Sequence, residues 1–154
     1  MQKYFEIACA EAERGILAGD GGPFGAVVVK DGQVIGKGHN CVLTLHDSTA
    51  HAEIIAIRQA EQAEKTHDLT GCEIYTTCYP CPMCLGAIIW ARISKVYYGC
   101  TMEEAASIGF DDKVFHKAFS SQDLNGLINM EHCDNPRCRS LFQKWLESDN
   151  RVLY

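Results

Sequence analysis

Two short stretches carry residue types that can do chemistry together: His51-Ala52-Glu53 and Pro80-Cys81-Pro82-Met83-Cys84. They offer one imidazole, two thiols spaced C-x-x-C, and a carboxylate two residues from the imidazole. Zinc takes nitrogen and sulfur ligands in a tetrahedron, and a catalytic zinc keeps three protein ligands with one position open to water. His51, Cys81 and Cys84 form such a set, and Glu53 beside them is placed to carry protons for a metal-activated water. The competing arrangement is a closed four-ligand site with Cys78 or Cys41 as the fourth ligand, which would leave Glu53 an ordinary residue of a helix first turn. A further run, His132-Cys133-Asp134-Asn135-Pro136-Arg137-Cys138, holds three possible ligands. It lacks a second C-x-x-C or H-x-x-x-H partner, and its residues are read as structural or surface.

Periodicity says which elements must position these groups. From Gln2 to Ala18 apolar residues recur at three- and four-residue steps, a helical pattern ended by Gly19-Asp20-Gly21-Gly22-Pro23. Phe24–Lys30 and Gln33–Gly38 read as strands joined by the hairpin signal Asp31-Gly32, and the second strand's glycines suggest a close backbone approach. His39–Ala50 reads as a loop, with Ser48 or Thr49 capping a helix from about His51 to Lys65. Ile54, Ile55, Ile57 and Ala60 or Ala63 form the expected core face of that helix. Cys72–Thr77 is a strand leading into a helix that begins at Cys81, where Cys81 and Cys84 share one face. Ser94–Gly99 is a further strand.

Beyond it the pattern predicts a short helix over Met102–Ser107, a loop over Ile108–Asp112, a strand over Leu127–Glu131 and an amphipathic helix over Arg137–Glu147. Alternating strands and helices argue for a layered α/β fold, and two helix N-termini would converge on one metal.

The bulk properties narrow the function further. A chain of 154 residues suits one domain. Nine cysteines, an odd number, with no secretory leader in view fit a reducing compartment, so a cytoplasmic location is expected. Cys9, Cys41, Cys72, Cys78 and Cys100 are expected to serve mostly as small buried apolar residues. No apolar run is long enough to span a bilayer. A net charge of −6 argues against a polyanionic partner, because phosphate neutralisation supplies most non-specific nucleic-acid affinity. A small uncharged substrate is expected.

H-x-E followed by P-C-x-x-C is the pattern of zinc nucleobase deaminases. Across Thr49-Ala50-His51-Ala52-Glu53 and Pro80-Cys81-Pro82-Met83-Cys84-Leu85-Gly86-Ala87-Ile88 the chain resembles the cytidine deaminase superfamily. Within it, Gly21–Ala26, Trp90-Ala91-Arg92, Gly109-Phe110-Asp111-Asp112 and Tyr154 are similar to the bacterial guanine deaminases.

The resemblance implies a three-layer α/β/α fold with a mixed sheet of about five strands. It implies one zinc ion per chain and hydrolysis of guanine to xanthine and ammonia in purine metabolism. By the same resemblance Glu53 moves the protons and Asp112 assists at the amino group. Phe24 stacks on the purine, Asn40 bonds the base, Ala52 and Trp90 line the pocket and Tyr154 closes over it. Residues 137–154 are expected to pack on a partner subunit in a homodimer with exchanged tails. Tyr79 stands where the family commonly has glutamate, and Ser48 where proline is usual. The competing functions are deamination of guanosine or another aminated heterocycle, deamination of adenosine in tRNA, and an inactive zinc-stabilised binding module.

Overall fold

A computed structural model describes residues 1–153; the expected role of Tyr154 therefore lies outside the described residues. The chain divides into two compact units, residues 1–121 and residues 122 onward. In the first, helix α1 (Gln2–Ala18) is followed by strands β1 (Gly25–Lys30) and β2 (Gln33–His39), a single helical turn α2 (Val42–Leu45) and helix α3 (Ala52–Glu64). Strand β3 (Glu73–Cys78), helix α4 (Pro82–Trp90), strand β4 (Lys95–Cys100) and helices α5 (Met102–Ser107) and α6 (Lys113–Ser121) complete it.

The sheet runs β2-β1-β3-β4, antiparallel except for the parallel β3–β4 pair. Asp31 and Gly32, both at positive φ, close the β1–β2 hairpin as their sequence predicted. Residues of β1 alternate between two cores, as a period of two requires. Val27 and Val29 meet Tyr4 and Ala8 of α1, together with Tyr75 of β3. Ala26 and Val28 face Ala52, Ala56, Ile57 and Ala60 of α3 and Ile88 of α4. The result is three layers: α1, the mixed sheet, then α3 with α4.

The glycines of β2 decide how closely α3 can lie on the sheet. A Cβ on Gly36 would stand 2.2 Å from the Ala56 carbonyl oxygen, and one on Gly38 would stand 2.8 Å from that of Ala52. The expected backbone approach is thus real, and it seats the N-terminal end of α3 where the site is built.

Several expectations are corrected. Among the described residues the sheet has four strands, not about five. Residues 127–131 follow a turn in which Leu127 N–H donates to the Leu124 carbonyl; they have no strand to pair with, and an unpaired segment of that length has no ladder to hold it. The 39–50 loop contains α2. The cap of α3 is His51, not Ser48 or Thr49. Ile54 and Ile55 are half-buried while Ala52 and Ala56 take the core positions, because the close approach leaves room for methyl groups. Of the five cysteines expected to be buried, Cys72 and Cys78 are, Cys41 is intermediate, and Cys9 and Cys100 are exposed; all nine are free thiols.

The second unit holds helix α7 (Pro136–Glu147), started by Asn135, whose side chain accepts from the Arg137 amide at 2.9 Å, and by Pro136. Its apolar residues Leu141, Phe142, Trp145 and Leu146 are exposed on this chain. Among the described residues no helix is long and apolar enough to cross a membrane.

Candidate active site

His51 and Cys81 occupy the same local position: each is the N-cap of its helix, in extended conformation, with no hydrogen bond from its side chain to the helix. An N-cap side chain usually turns back to satisfy a free amide. Here the carbonyls carry the helix contacts, His51 to Ile55 N–H and Cys81 to Leu85 N–H. The side chains are left to face each other. Pro82 at the first position of α4 has no N–H to satisfy, which fixes the entry. Cys84 follows one turn on.

The Cys81 and Cys84 Sγ atoms each lie 3.6 Å from His51 Nδ1. A tetrahedral zinc with bonds of about 2.3 Å to sulfur and 2.05 Å to nitrogen requires an N···S separation of about 3.6 Å. The three donors therefore fit zinc in identity and in spacing. The Cys81 thiol is pulled down to about 4, first by the hydrogen bond from the Cys84 thiol and then, against burial, by His51. Cys84 is pushed up by the same shared proton and by burial. The pair thus favours a thiolate at Cys81 with the shared proton on Cys84, and a bound metal would displace that proton.

Glu53 is buried. Its Oε1 accepts from Thr76 Oγ at 3.1 Å, and its Oε2 lies 3.4 Å from Cys84 Sγ. Burial raises its carboxyl above the ordinary carboxylate range. A buried carboxyl beside the metal donors, its pKa shifted upward, suits a proton carrier. Thr76, almost wholly buried on β3, was not singled out by the sequence; an ordinary strand threonine gives no signal until the sheet sets it beneath α3.

These groups open onto a cavity of about 540 Å³ lined by Phe24, Ser48, His51, Glu53, Tyr79, Asp112 and other residues of the first unit. Phe24 and Phe110 meet edge to face, ring centres 4.9 Å apart, and wall one side. Met83, Met102, Phe115 and Phe119 also face in; the loop reading of Ile108–Asp112 stopped short of α6 and so missed the last two.

Asp112 lines the cavity, and its charge is felt at His51 and Cys78. Asn40, expected to bond the base, is buried and is not among the lining residues; its Oδ1 accepts from the Gly22 and Val42 amides at 3.3 Å each, which orients the side chain. Ala52, expected to line the pocket, is fully buried at the start of α3 and is not among the lining residues. Trp90, expected to line the pocket, is instead 67% exposed at the end of α4 and is not among the lining residues. Cys78 lines the cavity with its thiol donating to the Thr101 carbonyl, and Cys41 donates to that of His39, so neither stands as a fourth ligand. Cys133 and Cys138 are exposed and join no metal-type grouping among the described residues.

A His-Cys-Cys donor set at two helix N-termini, with a buried glutamate beside it and a cavity in front, suits zinc-dependent hydrolysis. The model of the cytidine and deoxycytidylate deaminase zinc-binding region matches residues 1–100. The guanine deaminase of Bacillus subtilis is 42% identical over 99% of this chain and 98% of its own. Its X-ray structure superposes with a TM-score of 0.93 over the same shares. The tRNA-specific adenosine deaminase of Aquifex aeolicus is 45% identical over 63% of this chain and 64% of its own. The chain belongs to the cytidine and deoxycytidylate deaminase family.

Proposed function

We propose that the protein hydrolyses guanine to xanthine and ammonia. The observation that carries this reading is the buried Glu53 carboxylate beside the three metal donors, facing a cavity walled by Phe24 and Phe110. It is supported by a likeness to a guanine deaminase that runs end to end, whereas the likeness to tRNA-specific adenosine deaminases stops short of that, at 63% of the chain for the Aquifex aeolicus enzyme and 82% for the Buchnera aphidicola one. The net charge of −6 also fits a small base better than RNA.

His51, Cys81 and Cys84 would hold the zinc, which when bound would supply a Lewis acid able to make water acidic enough to react near neutral pH. Phe24 stacks on the purine with Phe110 against its edge. Asn40, its carbonyl oxygen engaged by backbone amides, turns its NH2 toward the base. Glu53 takes the proton of the attacking water and passes it to the ring nitrogen next to the carbon that bears the amino group. It then takes the remaining proton from the newly added hydroxyl and delivers it to the amine as the carbonyl forms and the C–N bond breaks, so that water is consumed and ammonia released in equal amounts. Asp112 holds the amino group and assists that transfer. Residues 137–154 pack on a partner subunit, which gives the exposed Leu141, Phe142, Trp145 and Leu146 a covered face, and Tyr154 closes over the substrate. The protein is a cytoplasmic homodimer.

Steady-state assays across guanine, guanosine, cytosine, cytidine, adenine and a tRNA anticodon stem-loop test the substrate. Guanine is expected to give xanthine and ammonia in equal amounts. No turnover of guanine, or faster inosine formation in the stem-loop, sinks the reading.

A further inference from the structure

Asp112 does not stand alone. His116, one helical turn further along α6, places its Nε2 3.2 Å from Asp112 Oδ2. A carboxylate oxygen can only accept, so Nε2 carries the hydrogen and donates. Both side chains are largely buried, with exposures of 23% for Asp112 and 19% for His116. The imidazole is backed by the ring of Tyr79, 5.6 Å away between centres and inclined at 59°. Tyr79 is itself fixed twice: its ring meets Tyr98 edge-on at 5.0 Å, and its amide donates to the Cys100 carbonyl at 2.9 Å. It is also the residue before Pro80-Cys81, so the chain that supports His116 is the chain that enters the zinc turn. His116 does not line the cavity; Asp112 and Tyr79 do.

We propose that His116 is a positioning residue that aims Asp112 at the substrate. By engaging Oδ2 it leaves the other carboxylate oxygen for the amino group, and Tyr79 keeps the imidazole from swinging away. A carboxylate on a short loop before a helix otherwise has several rotamers, and small misplacements of a reacting group cost large factors in rate. The inference rests on Asp112 acting at the amino group.

Kinetics of the zinc-loaded enzyme on guanine test it through a double-mutant cycle of His116→Phe and Asp112→Asn. His116→Phe keeps a ring against Tyr79 but removes the donor, and it is expected to lower kcat by roughly ten- to a hundredfold with KM changed by less than about threefold. In the Asp112→Asn background the same change is expected to cost less than about twofold. His116→Gln places an amide donor near the Nε2 position and is expected to keep kcat within about threefold of wild type, whereas His116→Asn is too short and is expected to behave like His116→Phe. The Gln/Asn pair decides the matter if the Phe variant fails to fold. Equal losses in both backgrounds, or equal activity of Gln and Asn variants, overturn the proposal. Full activity of Asp112→Asn overturns the Asp112 assignment and this inference with it. If guanine is not turned over, the cycle is read on the base that is.

Discussion

Histidine meets cysteine and carboxylate at two places in this chain, and the two are built for different ends. At the first, His51, Cys81 and Cys84 sit with sulfur-to-nitrogen separations of 3.6 Å, the spacing of ligands around an ion. At the second, Asp20, His39 and Cys41 also bring their ligand atoms within 4.8 Å of one another. There His39 Nε2 lies 2.8 Å from Asp20 Oδ2, a hydrogen-bond length, shorter than the roughly 3.4 Å that nitrogen and oxygen ligands of a tetrahedral zinc would keep. His39 Nδ1 lies between Arg14 at 3.2 Å and Glu11 at 3.4 Å, and Lys37 pairs with Glu11 at 2.9 Å. Two cations already neutralise that network, and they oppose a third. The side chains of the first group are left by their helix caps to face one another; those of the second are consumed by Arg14, Glu11 and a backbone carbonyl. Residue type makes a metal site possible, and what else satisfies those residues decides it.

The largest expected effect breaks the first group and spares the second. Cys84→Ser should lower zinc content from about one per chain to a small fraction, measured by elemental analysis after gel filtration, and abolish turnover. Cys41→Ser should keep one zinc and keep activity within about twofold, since its thiol only donates to a backbone carbonyl, a bond of about 1 kcal/mol. Zinc falling with Cys41→Ser would erase the distinction. Next in size, Glu53→Gln should keep zinc and fold yet lose roughly 10²–10⁴ in kcat, the range assigned to a positioned proton carrier. Thr76→Val, which removes only the hydroxyl holding Glu53 Oε1, should cost about tenfold. A Glu53→Gln enzyme of normal activity would remove Glu53 from the mechanism.

Much of this was legible from the residues. Helix α1, the Asp31-Gly32 hairpin and both ligand-bearing helices announce themselves by period and by turn chemistry, which are local properties. The His51/Cys81/Cys84 set is legible because its spacing has few other uses. The supports were not. Thr76, Phe110 and His116 act through partners distant in sequence or through a helix, α6, whose polar start hides it. The strand expected at 127–131 shows the same limit from the other side: alternation marks a segment able to pair but cannot supply a partner. Trp90 was placed by resemblance alone, and the fold turns it outward.

The second group has its own mechanical test. Gly15 of α1 lies against the His39 ring, and a Cβ there would stand 2.5 Å from Cδ2. The imidazole cannot retreat, because both its nitrogens are engaged. Gly15→Ala would gain about 1 kcal/mol of helix propensity and lose about 1–3 kcal/mol to overpacking. The net expectation is a Tm lower by a few degrees, with zinc content unchanged. A higher Tm would mean that the network yields easily.

The smallest effect is electrostatic, and it separates the groups by pH. Burial works to raise the Glu11 carboxyl, but the hydrogen bonds from Lys37, Arg14 and His39 prevail and hold it below its ordinary value. Asp20 is held low by Thr44 and His39. A carboxyl with a folded pKa below its unfolded one adds stability that is complete above the unfolded value and is lost as pH falls through the folded one. Wild type should therefore lose stability to urea below about pH 4.5, and part of that loss should vanish in Glu11→Gln, which starts weaker at pH 7 and declines less steeply. Acid also protonates His51 and the thiolates and releases zinc, but that contribution is common to both proteins and cancels in their difference. Parallel urea midpoints for wild type and Glu11→Gln between pH 7 and pH 4 would show that Glu11 is held by packing and not by its cations.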